Sequence, residues 1–93
     1  MIHTINAFLP LVRAGRTKKI ITISSAAADP AFVAGTGNSG AGPYTISKVG
    51  LNMAVLKYAL KYKDEGVIFL ALSPGVVDTA TDARSMLTIC CNL

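Results

Sequence analysis

Two short, unbroken apolar runs, Lys19 to Ser25 (KIITISS) and Val67 to Leu72 (VIFLAL), stand on either side of a long helical segment. Both runs are too short for helices, and the first is rich in β-branched residues, so both read as strands. They are continuously apolar rather than alternating, which is the pattern of strands covered on both faces. Between them, Tyr44 to Lys63 contains no proline and a single glycine, and reads as one long helix. A strand–helix–strand order implies parallel strands joined by a right-handed crossover.

The rest of the chain fits around that unit. Apolar positions at Ile2, Ile5, Phe8, Leu9 and Val12 recur at a helical period over residues 2 to 14. Pro10 is expected to kink that helix and Gly15 to end it. Ala26 to Pro43 holds six glycines or prolines and no periodicity, and reads as a loop long enough to be functional. Ser73-Pro-Gly breaks the second strand, and Thr79 to about Leu87 reads as a short helix. The expected class is α/β: a parallel sheet with helices in alternation. Two strands are fewer than a doubly wound sheet needs.

Ninety-three residues allow at most one small domain. With 52% hydrophobic and 15% charged residues the chain is not of the disordered type, and it is more apolar than a small self-contained domain requires. The excess implies faces that expect a partner. No apolar run is long enough for a membrane helix, and the N-terminus lacks a cationic signal-peptide start, so a cytoplasmic protein with no membrane partner is expected. Cys90 and Cys91 are adjacent, a spacing that suits neither a disulfide framework nor a metal site. The net charge is +4, with four cations between Arg13 and Lys19. No aromatic residue is interleaved with them for base stacking, and cations at a helix C-terminus have a structural use of their own. Nucleic acid is therefore not an expected partner.

Chemistry points to Tyr44 and Lys48. Spaced i, i+4 on a helix, they share one face. A phenol titrates near ~10 in water, and a neighbouring ammonium favours its anion. Such a pair can exchange a proton with an alcohol or carbonyl. Taken alone it is a weak signal, since a core tyrosine beside a snorkelling lysine has the same spacing.

Its context makes it specific. Tyr44-Thr-Ile-Ser-Lys48 resembles the YxxxK motif of the classical short-chain dehydrogenase/reductase family. Upstream, Ile20-Ile-Thr-Ile-Ser24-Ser25 is similar to the strand that ends in that family's catalytic serine. Downstream, Leu72-Ser-Pro74-Gly75-Val-Val77-Asp-Thr79 resembles its PGxVxT segment, and the opening helix with Phe8-Leu9-Pro10-Leu11 resembles the helix before the serine strand. The resemblance covers residues 1 to about 84. It implies the C-terminal part of an incomplete Rossmann-like doubly wound domain, helix–strand–helix–strand–helix, followed by a tail at 85–93 that does not resemble the family.

The function implied is hydride transfer between NAD or NADP and an alcohol or carbonyl substrate. By the same resemblance Tyr44 is the general acid in reduction and the general base in oxidation. Lys48 favours the phenolate and holds the nicotinamide ribose. Ser25, in preference to Ser24, hydrogen-bonds the reacting oxygen, while Pro74, Gly75, Val77 and Thr79 line the nicotinamide. The protein supplies orientation and proton transfer to the cofactor's chemistry. No metal is expected.

Two features depart from the pattern. The interval from Ser25 to Tyr44 is longer than usual by about six residues, in a loop where insertions are tolerated. It contains Gly35-Thr-Gly37-Asn-Ser-Gly40, which matches G-x-G-x-x-G in letters but follows no strand directly, so it is not a dinucleotide fingerprint. The family's own glycine-rich motif would precede everything in these residues, as would the helix asparagine of its catalytic tetrad. An alternative reading is therefore a catalytically silent fragment or a subunit-association remnant. The epimerase and dehydratase branch, which shares YxxxK, ranks lower because of the Pro74–Thr79 segment. The helix 44–63 is apolar on nearly every side, which implies one face on the sheet and another on the same helix of a second subunit.

Overall fold

A computed structural model of the chain describes residues 1–75. The elements run α1 (Ile2–Ala14), β1 (Lys19–Ile23), a 3-10 turn (Ala26–Ala28), α2 (Pro30–Thr36), α3 (Gly42–Lys61), a second 3-10 turn (Lys63–Glu65) and β2 (Ile68–Leu72). The strands pair in parallel, Lys19 opposite Ile68 through Ile23 opposite Leu72. Beyond that register the pairing continues at both ends: Ser24 N donates to Leu72 O at 2.7 Å, and Ile68 N to Lys18 O at 2.8 Å. The result is an α/β unit with parallel strands, as expected from the order of apolar runs, and it is the partial Rossmann-like fold that the family resemblance implies.

One face of the two-stranded sheet is covered. Phe69 of β2 stacks against Tyr58 of α3 and Tyr62 just beyond its end, with ring centroids 5.7 and 6.2 Å away. The Tyr58 hydroxyl donates to Asn6 Oδ1 of α1 at 2.7 Å, tying the two helices together. Ile5 and Leu9 of α1, Val55 of α3, Ala28 and Val67 are the buried apolar residues among those described. The opposite face carries Ile21, Ile23, Ile68, Leu70 and Leu72, all exposed. Paired residues of a parallel ladder point the same way, so these five form one continuous apolar surface.

Several expectations are corrected in detail. The segment 26–43 is not a bare loop, for it contains the 3-10 turn and α2. Asp29 caps α2 by accepting from Ala31 N at 2.9 Å, Pro30 occupies its first turn, and Gly37 ends it in the left-handed conformation (φ 65°). An Asp-Pro start and a glycine stop are helix boundaries as much as loop signals. Strand β1 ends at Ile23 rather than Ser25, because Ser25 turns to cap the following 3-10 turn, its Oγ accepting from Ala27 N at 3.2 Å. Helix α3 begins at Gly42, two residues before Tyr44, since a proline fits the first turn of a helix. It ends at Lys61, and its continuation tightens into the turn closed by Gly66 (φ 70°). Gly15 does end α1, but with extended backbone (φ -76°): its N–H reaches Leu11 O and Val12 O without the left-handed cap. The expected helix near 79–87 lies outside the described residues.

Candidate active site

The strands are parallel, so both C-terminal ends open on the same edge, the edge where open α/β sheets place their ligand crevice. Ser24 and Ser25 follow the end of β1, and Pro74 and Gly75 follow the end of β2. Tyr44 lies in the first turn of α3, with Lys48 one turn on. Five of the seven sequence-predicted site residues are thus attached to elements meeting at this edge. Val77 and Thr79 lie outside the described residues.

Tyr44 and Lys48 do share a helix face, with Lys48 Nζ 5.6 Å from the centre of the Tyr44 ring. Lys48 Nζ also donates to the carbonyl of Ile23, the last residue of β1, at 2.9 Å. That bond joins the helix to the strand end just ahead of the two serines. Tyr44 is exposed and Lys48 half-buried, so the phenol is open to an incoming molecule while the ammonium is held against the sheet. Ser47 turns back, its Oγ donating to Tyr44 O at 2.6 Å.

The two serines have different surroundings. Ser24 is buried, 6% exposed, and its Oγ donates to Asn52 Oδ1 of α3 at 2.6 Å. Ser25 is half-buried. Sequence reasoning ranked Ser25 above Ser24 but missed Asn52. The available signal was its spacing: Tyr44, Lys48 and Asn52 recur every four residues on one face of α3.

Gly75 has φ 77°, the left-handed region that favours glycine, and among the described residues a side chain built there would meet nothing within 4 Å. The glycine-rich letters Gly35–Gly40 lie at the end of α2 and beyond it, following a helix and not a strand, which is the wrong context for binding a pyrophosphate.

The family model for short chain dehydrogenase matches residues 1–88. The chain belongs to the short-chain dehydrogenase family. Its relatives include the short-chain dehydrogenase/reductase AacuF of Aspergillus aculeatus, 50% identical over 89% of this chain and 32% of that protein. The short chain dehydrogenase virK of Hypocrea virens is 41% identical over 84% of this chain and 29% of its own length. An uncharacterized oxidoreductase of Schizosaccharomyces pombe, C663.08c, is 35% identical over 84% of this chain and 30% of its own length. This short-chain dehydrogenase chain therefore spans about a third of the length of the curated relatives it matches. No solved structure gives a significant match. Among the described residues, no helix is long and apolar enough to cross a membrane.

The family's chemistry is that of an NAD(P)-dependent oxidoreductase. The donor set among the described residues, a hydroxyl and an ammonium one helical turn apart at the crevice edge of a parallel sheet, is chemically suited to such a cofactor.

Proposed function

We propose that this chain carries the proton-transfer side of an NAD(P)-dependent oxidoreductase acting on a small alcohol or carbonyl compound. The observation that carries the reading is the Tyr44–Lys48 pair on one face of α3, with Lys48 anchored to the end of the strand that leads into Ser25. When bound, the nicotinamide supplies or accepts the hydride. Tyr44 gives its hydroxyl proton to the carbonyl oxygen in reduction and takes it back from the alcohol in oxidation. The Lys48 ammonium, held at the strand end by Ile23, would balance the negative charge left on the phenol oxygen and would donate to the ribose hydroxyls of a bound cofactor. Ser25, released from the ladder, turns its hydroxyl to the same substrate oxygen. By the family resemblance Pro74, Gly75, Val77 and Thr79 would line the nicotinamide, the last two lying outside the described residues. Among the described residues no glycine-rich turn directly follows a strand, so none of them is assigned to the pyrophosphate.

The test is reduction of a carbonyl substrate, followed by consumption of NADH or NADPH. It is run on this chain and on the chain joined to the N-terminal segment of the Aspergillus aculeatus relative. In the joined protein Tyr44→Phe should lower the rate about 10²–10⁴-fold, the usual worth of a general acid. Equal rates with Tyr44 and Phe would overturn the proposal.

A second reading concerns the 93-residue chain alone: a catalytically silent piece that associates with other subunits. The bare apolar face of the sheet favours it, as does a second stripe on α3. Ile46, Val49, Met53, Leu56 and Leu60 are all exposed and recur at a spacing of three or four on the side of α3 away from Val55. Ile46, at 72%, is the most exposed of them. The occupant proposed for this stripe is the same helix of a second copy. Met53→Lys should then lower the sedimenting mass of the chain, and an unchanged mass would count against the contact.

A further inference from the structure

We propose that Ser24 and Asn52 form a positioning clamp that holds Lys48, and through it Tyr44, in register with the end of β1. The inference rests on the catalytic reading of Tyr44 and Lys48 above, and adds two residues that do not touch the reacting atoms.

Three consecutive residues at the end of β1, Ile23 to Ser25, each meet a different partner. The carbonyl of Ile23 receives Lys48 Nζ, the hydroxyl of Ser24 meets Asn52, and the hydroxyl of Ser25 caps its own turn. On α3 the partners follow the same geometry, because Tyr44, Lys48 and Asn52 are successive steps of four along one face. The helix is therefore tied to the strand end at two points one turn apart. Two ties fix both the height of a helix along a strand and its rotation, whereas one tie leaves the rotation free.

The two ties are unequal. Lys48 is a long side chain with several rotatable bonds, so its bond to Ile23 adapts to small movements of the helix. Ser24 and Asn52 are short, and their 2.6 Å contact lies at the close end of the O–H···O range. Ser24 is the buried polar residue among the described ones, and no buried side-chain polar atom there is left without a partner. A buried hydroxyl that loses its partner is costly, so the pair resists sliding. The stiff tie sets the register, and the flexible one follows it.

The experiment is NMR on this chain, reading the Lys48 ammonium and Ile23 carbonyl resonances and the correlation between them across their hydrogen bond. The variant of choice is the double substitution Ser24→Ala with Asn52→Leu. It removes both polar partners together and so leaves no buried group unsatisfied. The ring-current shifts of the Tyr58–Phe69 stack report whether the fold is retained. With the stack intact, the double variant should lose the Lys48–Ile23 correlation. Asn52→Asp, which keeps an acceptor for the Ser24 hydroxyl, should retain it. If the double variant loses the stack, the pair is a general support of the fold and the positioning role is overturned. The role is equally overturned if the correlation survives in the double variant, or if Asn52→Asp loses it as completely. None of these readouts needs turnover. Loss of the clamp and loss of the catalytic reading, which the Tyr44→Phe rate tests, are therefore separable results.

Discussion

The two faces of the sheet are built from the same kinds of residue and have opposite surroundings. On one face, Ile20, Thr22, Phe69 and Ala71 lie half-buried beneath α1 and α3, with the Tyr58 and Tyr62 rings stacked on Phe69. On the other, Ile21, Ile23, Ile68, Leu70 and Leu72 are bare. Apolar sequence alone does not bury a residue. Burial requires a neighbour, and in this chain both neighbouring helices are tied to the same side, as the Tyr58–Asn6 hydrogen bond records. An apolar surface of this kind is stabilising only once it is covered.

The comparison can be broken most decisively by placing a charge on each face in turn. Val55→Asp buries a carboxylate under the covered side and should cost at least about 3 kcal/mol, enough to abolish cooperative thermal unfolding. Leu70→Lys on the bare side should shift stability by no more than about 0.5 kcal/mol and raise solubility. If Leu70→Lys proves as damaging as Val55→Asp, the bare face is covered in solution, and a second copy is the first thing to look for by sedimentation.

Smaller changes sharpen the contrast. Phe69→Ala removes the ring at the centre of the aromatic stack and should cost about 2 kcal/mol, discounted from a fully buried phenylalanine because the residue is half-exposed. Ile23→Ala on the other face should cost little in the same denaturant titration. Tyr58→Phe deletes only the hydroxyl that reaches Asn6 and should cost about 1 kcal/mol. A larger loss would mean that this bond alone holds α1 in place. Smallest is Ala41→Gly at the entry to α3, where a non-glycine residue sits at φ 53°. Relief of that strain should exceed the added chain entropy and gain about half a kcal/mol in thermal denaturation.

Most of the architecture was legible from local signals. The three-to-four-residue spacing of Ile2, Ile5, Phe8, Leu9 and Val12 marked α1 to the residue, and the apolar runs marked both strands within two residues. The loop 26–43 was misread because Pro30 and Gly37 were counted as breakers, when in company with Asp29 they begin and end a helix. Within the site, Tyr44 and Lys48 were legible because their spacing places them on one face whatever surrounds the helix. Asn52 shares that spacing, but a helical asparagine acquires a role only from what faces it, here the Ser24 hydroxyl.

The sequence by itself determined the order of the elements, the parallel pairing of the strands, the family and the helix face shared by Tyr44 and Lys48. The order, the pairing and the shared face follow from spacing along the chain, where the geometry of a helix or strand converts position into direction. The family follows instead from the resemblance of the Tyr44–Lys48 segment and its flanking motifs to known proteins. Only the tertiary structure decided which of two adjacent serines is buried, and that Lys48 rests on Ile23. It also decided which of two equally apolar sheet faces is covered. These outcomes depend on residues 25 or more positions apart meeting in space, and the side chain opposite is what separates Ser24 from Ser25.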